Sequence, residues 1–252
     1  MHLAETTWTE AAATEADLVA LPVGSTEQHG PHAPLSTDTL SAEAVAAAGA
    51  DAYDGKVVVA PALPYGISAE HRHFPGTLWL APDTFRHTVR DVIESLAGHG
   101  WDRVVVVNGH GGNTDALREV AAAVTREGIA CTAAFTWFDA VDPGDIGHEP
   151  DPDDMGHAGA VETSVLMHHA PHLVREERLA EAAEGGSDAW GEWVAGTNLA
   201  YDSTEFTENG TVGDPTASSA ERGAELIEAA GVALADLLAA VADRDRDVSE
   251  RR

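Results

Sequence analysis

Val104-Val105-Val106-Val107-Asn108-Gly109-His110-Gly111-Gly112-Asn113 is the stretch that decides the fold. Its unbroken valines lack the polar alternation of a half-buried strand, so they read as a strand covered on both faces, the condition of an interior parallel strand. A Gly-rich turn follows. Asn113 to Glu127 then has helical periodicity, and Ile129 to Trp137 forms the next apolar run. Upstream, Leu18-Val19-Ala20-Leu21-Pro22-Val23-Gly24 is a strand entering a loop. Asp38 to Ala50 is a helix with Leu40, Ala44 and Val45 on one face, and Val57-Val58-Val59-Ala60 is a strand stopped by Pro61. Pro82-Asp83 opens a helix carrying Phe85, Val89, Val92, Ile93 and Leu96, which Gly98 and Gly100 end.

This alternation predicts an α/β fold of three layers, α/β/α, with a mostly parallel central sheet. Residues 138–156 read as a loop, Ala160 to His169 as a helix, 183–215 as irregular and Ala217 to Ala242 as a C-terminal helix. With no internal repeat and no linker composition, the expectation is one α/β domain over 1–242 and a charged tail over 243–252.

The 252 residues include 43 Asp and Glu against 14 Lys and Arg, a formal net charge of -29, with Lys56 the only lysine. Such a field disfavours nucleic acid and anionic membranes as partners. A hydrophobic content of 44% argues against a disordered acidic chain. The balance instead suits a halophilic protein whose self-repulsion is screened by salt. No run is long and apolar enough to span a membrane, and no secretory signal is evident, so a cytoplasmic location is expected. The single cysteine, Cys131, excludes an internal disulfide and reads as a buried, inert thiol.

Three clusters carry chemistry. The first, Gly24-Ser25-Thr26-Glu27-Gln28-His29-Gly30-Pro31-His32 with Thr37-Asp38, leaves a strand where open α/β sheets bind ligands. Glu27 and His29 point the same way if the segment is extended, and Asp38 returns from the next helix. Two carboxylates and an imidazole suit zinc, manganese or iron. Read alone, the cluster equally fits a helix-capping Asp38 and two surface residues. In the second, His110 stands in the Gly-rich turn after Val107. The spacing is neither a P-loop nor a dinucleotide fingerprint. In the third, Gly156-His157-Ala158-Gly159-Ala160-Val161-Glu162-Thr163-Ser164, Glu162 lies among apolar neighbours. Burying it is unfavourable unless it meets a cation; a solvent-facing helix Glu is the alternative.

Taken in order, the three clusters resemble the creatininase family of amidohydrolases, with Phe74-Pro75-Gly76-Thr77 and Gly213-Asp214-Pro215 adding to the match over about residues 18–225. The resemblance implies a pair of divalent metal ions (Zn, Fe or Mn), with Glu27 and His110 on one, His29 on the other and Asp38 bridging. His157 matches the histidine thought to shuttle protons in creatininase. Where creatininase proper has a metal-binding Glu two residues after the second-motif histidine, this chain has Gly112, and Glu162 is the candidate replacement. Ser25 and Ser164 are expected to be structural.

The Gly111-Gly112 pair resembles the branch of archaeal deformylases that cleave the formamide of a ribosylaminopyrimidine phosphate in riboflavin and F420 biosynthesis. That is the expected activity, with a small-molecule amide substrate and a homo-oligomer, often a hexamer in the family. Hydrolysis of creatinine is the alternative, with a redox-cofactor precursor peptidase and a non-catalytic metal-binding scaffold behind it. A basic pocket near Arg72, Arg86 or Arg118 would favour the phosphate, and a Trp-lined apolar one creatinine. His71 and His73 are placed to approach a substrate. His168, His169 and His172 suit a helix end. Trp190 and Trp193 suit packing or a pocket wall, and Asn209-Gly210-Thr211 suits a turn.

Overall fold

The computed structural model describes residues 1–141 and 156–244. Four strands form one parallel sheet: β1 (Leu18–Val23), β2 (Val57–Val59), β3 (Arg103–Asn108) and β4 (Cys131–Thr136), in the order β2-β1-β3-β4. The helices are α1 (Trp8–Ala12), α2 (Thr37–Ala52), α3 (Pro82–Gly98), α4 (Thr114–Arg126), α5 (Ala160–His169), α6 (Leu179–Glu184) and α7 (Ala220–Ala242). A small antiparallel pair, β5 (Trp193–Val194) and β6 (Thr197–Asn198), stands apart from the main sheet.

The valine run explains the layering. Every residue of β3 is buried, and its side chains alternate between two cores. Val104 and Val106 join Phe85, Val89 and Ile93 of α3 and Leu117 of α4. Val105 and Val107 join Val45 of α2, Val165 and Leu166 of α5, and Leu226 and Leu234 of α7. Helices thus cover both faces of the sheet, and α7 lies along α2 and α5. In register, Val105 sits between Ala20 of β1 and Ala133 of β4.

Local chemistry sets the helix ends. Pro82 occupies the first turn of α3, where its missing N–H is not needed. Ser219 caps α7 by accepting the Arg222 N–H at 3.1 Å, so that helix starts at Ala220 and not at Ala217. Pro215–Ala217 is instead a 3-10 turn. Likewise Gly111–Asn113 is a 3-10 turn ahead of α4, and Trp137 belongs to a 3-10 turn after β4. Cys131 opens β4 half-buried, more accessible than expected. The irregular stretch 183–215 contains β5, β6 and the end of α6. Most of the expected 138–156 loop, and all but Asp243 and Arg244 of the charged tail, lie outside the described residues. No helix among the described residues is long and apolar enough to cross a membrane.

The strand order has one functional consequence. From β1 the chain crosses by α2 to β2 on one side, and from β3 by α4 to β4 on the other. The carboxyl ends of β1 and β3 therefore flank a topological switch point, where open α/β sheets leave a crevice.

The charge of -29 makes a further expectation. Self-repulsion is least screened at low ionic strength, so the melting temperature should climb between about 0.1 M and molar salt as the Debye length shrinks. Thermal melts across a salt series measure it, and a flat series would remove the halophilic reading.

Candidate metal centre

The segment leaving β1 carries Glu27 and His29 across the crevice, and both side chains are fully buried. Asp38 enters from the first turn of α2, His110 from the turn after β3, and Glu162 from the first turn of α5. His157 precedes α5 in a short bridge to Val212. The strand ends and the glycines of the turn make this convergence possible. A Cβ on Gly109 would lie 2.2 Å from Asp38 O, so only glycine lets the turn pass this close to the start of α2.

The six expected residues come together. Asp38 divides its oxygens, Oδ1 lying 3.0 Å from His29 Nε2 and Oδ2 3.3 Å from His110 Nδ1. Glu27 Oε2 is 3.1 Å from His110 Nδ1. Glu162 Oε2 is 3.6 Å from His29 Nε2 and accepts the Ala158 N–H at 2.6 Å. Ala158 has a φ of 55°, an uncommon left-handed conformation for a residue with a Cβ, and this turns its N–H onto the carboxylate. His157 Nδ1 lies 3.7 Å from Glu27 Oε1.

Backbone carbonyls fix the proton on each inner imidazole. His29 Nδ1 donates to Glu27 O at 3.2 Å and His110 Nε2 to Ile67 O at 2.7 Å. His29 Nε2 and His110 Nδ1, the atoms facing Asp38, are then the ones that would offer a lone pair to a cation on losing their protons, the second-contact pattern of metal-binding histidines. Without a cation the cluster is held by internal charge. Burial opposes the charged form of both histidines, yet Asp38 and Glu162 hold His29 well above the ordinary histidine range, and Glu27 and Asp38 do the same for His110. Burial also opposes charge on Asp38, but His29 and His110 hold its carboxyl well below the usual range. Burial and the nearby Asp38 raise Glu27.

The residues fit divalent cations. Glu27 Oε1 and Oε2, His29 Nε2 and Asp38 Oδ2 are buried with no hydrogen-bond partner, an expensive arrangement unless something else satisfies them. Glu27, Asp38 and His110 form one group able to hold an ion, and His29, His157 and Glu162 another. Carboxylate oxygen and imidazole nitrogen suit zinc, manganese and iron. Gly112 explains the absence of a carboxylate there: a Cβ would meet Ile67 O at 2.4 Å and His110 Nε2 at 2.6 Å.

A cavity of about 360 Å³ opens beside the cluster. Glu70, His71, Phe138 and Trp190 line it together with the cluster residues. The edge of Trp190 meets His71 at 5.7 Å and His157 at 6.0 Å between ring centroids, so it walls the cavity. Trp193 is exposed and donates its Nε1–H to Trp190 O. His73 pairs with Asp202 outside the cavity, and His168, His169 and His172 are exposed on the far end of α5 and beyond. Ser25 bonds Ser68 and Ser164 bonds Ala160 O, both structural contacts. Sequence reasoning passed over Glu70 and Gln28. Gln28 stands between two ligand candidates in the first cluster, which could have drawn attention to it, whereas Glu70 has no such signal.

Buried carboxylates and imidazoles at a sheet's switch point, open to a cavity, define a metal-competent hydrolase site. The creatinine amidohydrolase family model, Creatininase, matches residues 4–238. The chain is 37% identical over 212 residues to a mycofactocin precursor peptide peptidase of Mycolicibacterium smegmatis, covering 82% of this chain and 78% of that protein. It is 33% identical over 202 residues to a creatinine amidohydrolase of Pseudomonas putida, covering 72% and 76%. A crystal structure of creatinine amidohydrolase superposes with a TM-score of 0.80 at 29% identity, covering 97% and 98%. Related creatininase structures are described as Mn and as Zn-Zn type. The chain belongs to the creatininase family. It is an amidohydrolase that acts on a C–N bond.

Proposed function

We propose that this protein uses two divalent cations to hydrolyse an amide in a peptide-like substrate that brings no anionic group into the cavity. The observation that carries this reading is the cavity lining: Glu70, Phe138 and Trp190 beside the cluster, and neither Lys nor Arg among the described lining residues. The precursor-peptide peptidase relative supports a peptide amide. In this reading Glu27 and His110 would hold one cation and His29 and Glu162 the other, with Asp38, which lies beside both histidines, able to serve either. When bound, such ions make hydroxide available near neutral pH and polarise the scissile carbonyl. His157 donates Nε2–H to Gln28 O at 2.7 Å, so its Nδ1 lone pair faces the cavity. Burial lowers its pKa to about 4, leaving it neutral at pH 7 and able to take a proton from the attacking water. From Nδ1 it returns that proton to the departing nitrogen. Trp190 and Phe138 limit the water around it.

Deformylation of a ribosylaminopyrimidine phosphate is the second reading, favoured by Gly111-Gly112. It requires a phosphate grip. Arg72 is held by Asp202, Arg86 by Glu119 and Arg118 by Asp139, and none of the three lines the cavity. Trp190 would also suit creatinine, although Gly112 departs from creatininase proper. Incubating the metal-loaded protein in molar salt with short peptides, with the formamidopyrimidine phosphate and with creatinine separates the three by mass spectrometry. Cleavage of peptides alone supports the proposal, and formate release with peptides intact overturns it.

Ligation also carries a pH expectation. The raised pKa values mean that His29 and His110 are protonated in the metal-free protein, so cation binding must displace those protons. Affinity should therefore fall as pH drops, and calorimetry in buffers of different ionisation heat should show proton release. Buffer-independent heats would count against these two ligands.

A further inference from the structure

His71 belongs to no step above, yet it is fully buried at the cavity wall and stacked on His157 with ring centroids 4.3 Å apart. Its Nε2 lies 3.5 Å from Glu27 Oε1. Glu27 thus faces two ways, with Oε2 towards His110 and Oε1 towards His71 and His157. Glu27, His71 and His157 could even hold an ion among them, as far as distance alone goes. Whether they can depends on which nitrogen of His71 carries hydrogen.

Gln28 settles that question. Its amide cannot be turned round: Oε1 accepts the Gly30 N–H at 2.9 Å, and Nε2 donates to Gly210 O at 3.0 Å. The second hydrogen on Nε2 points to His71 Nδ1 at 2.9 Å. Nε2 is equally close to His157 Nε2, but that nitrogen already donates to Gln28 O and cannot accept. Ser203 Oγ lies 3.1 Å from His71 Nδ1 and 2.9 Å from Glu70 O, and its one rotatable hydrogen can turn to Nδ1, so the hydroxyl is compatible with an acceptor there. His71 Nδ1 is therefore an acceptor, and the ring's only hydrogen is on Nε2, aimed at Glu27 Oε1.

We propose that Gln28 and His71 form a positioning relay: Gln28 fixes the His71 tautomer, and the His71 Nε2–H, facing Glu27 Oε1 at 3.5 Å without a formed hydrogen bond, attracts that oxygen so that Oε2 is presented to the cation shared with His110 and Asp38. The same glutamine residue, through its backbone carbonyl, sets His157 in the opposite sense, with its lone pair on Nδ1. One residue thereby gives the stacked rings complementary roles, with the His71 N–H turned to the ligand and the His157 lone pair, among the described residues, left as the free imidazole base at the wall. It also denies a third cation the Glu27–His71–His157 position, because His71 has no lone pair to offer there.

The inference rests on Glu27 being a ligand, and its test keeps the two apart. Nitrogen-15 NMR of labelled histidines in the metal-free protein reads the tautomer without any metal. We expect His71 bare at Nδ1 and protonated at Nε2; hydrogen on Nδ1 would overturn the relay whatever Glu27 binds. Metal affinity is then measured on His71→Phe and His71→Gln. The loss of this outer polar contact should weaken one cation by up to about 10–100-fold in His71→Phe. His71→Gln, whose amide can still donate, should recover much of that. Equal affinity in His71→Phe and the unsubstituted protein would overturn the proposal. Gln28→Glu replaces the donor with an acceptor and should move the His71 hydrogen to Nδ1, giving inhibition by excess zinc that the parent lacks. An unchanged His71 tautomer in a folded Gln28→Glu protein would contradict Gln28 as its cause.

Discussion

Asp38→Asn should release both cations and abolish hydrolysis while the fold survives. Asp38 is 1% exposed, and it is the one side chain with an oxygen on each inner imidazole, at 3.0 Å from His29 and 3.3 Å from His110. Asparagine matches its shape but removes the charge and turns one acceptor into an N–H pair facing a lone pair. Loss of an outer partner costs about 10–100-fold in metal affinity, and removal of a direct ligand should exceed that at both positions. Its neighbours in the first turn of α2, Thr37 and Thr39, donate their hydroxyls to Pro34 O and Ser25 O independently of the carboxylate, so helix content should not change. Elemental analysis after dialysis, alongside circular dichroism, gives the reading. Two retained equivalents of metal would mean that Asp38 bridges nothing.

Glu162→Gln and His157→Ala should fail in different ways. Glu162 reaches His29 from α5 at 3.6 Å and is the candidate for the carboxylate that Gly112 cannot supply. Glutamine in its place leaves the Ala158 N–H an oxygen to bond but removes the charge beside His29. The cation at His29 should weaken by at least about 10–100-fold, and turnover with it. His157 makes no ion pair with Asp38 or Glu162 and is assigned to proton transfer rather than ligation, so His157→Ala should keep the bound metal while turnover slows by about 10²–10⁴, the range for a lost general acid or base. Metal content and single-turnover rate on the two variants separate the roles. Full occupancy and full rate in Glu162→Gln would remove it from the centre.

The layered fold was legible because its signals are local. The valine run of β3 admits one reading, and α5 lies at Ala160–His169 as its apolar pattern indicates. α1 and α6 were not legible, being too short for periodicity to show, and β5 and β6 are two residues each. At the centre, Glu27, His29, Asp38 and His110 are marked by polar residues set among glycines at strand ends. Glu70 is not, because its place beside the cavity comes from how the 3-10 turn Ala69–His71 packs, which no spacing encodes. The role of Gln28 depends on Gly30, His71 and Gly210 at once, a relation between distant segments. The position of Gly112 was visible, but the reason no side chain fits there, Ile67 O, was not.

The origin of each group also bears on how such an enzyme changes over evolutionary time. The candidate ligands hang from the strand exits and first helical turns of the rigid sheet, whereas Glu70, Phe138 and Trp190 come from 3-10 turns and connecting loops. Loops accept insertion and replacement far more readily than the scaffold that supports them. Mutations at the rim can therefore retarget the chemistry to a new amide while the hydrolytic engine is inherited intact, and one ancestral sheet can serve lineages with unrelated metabolic needs.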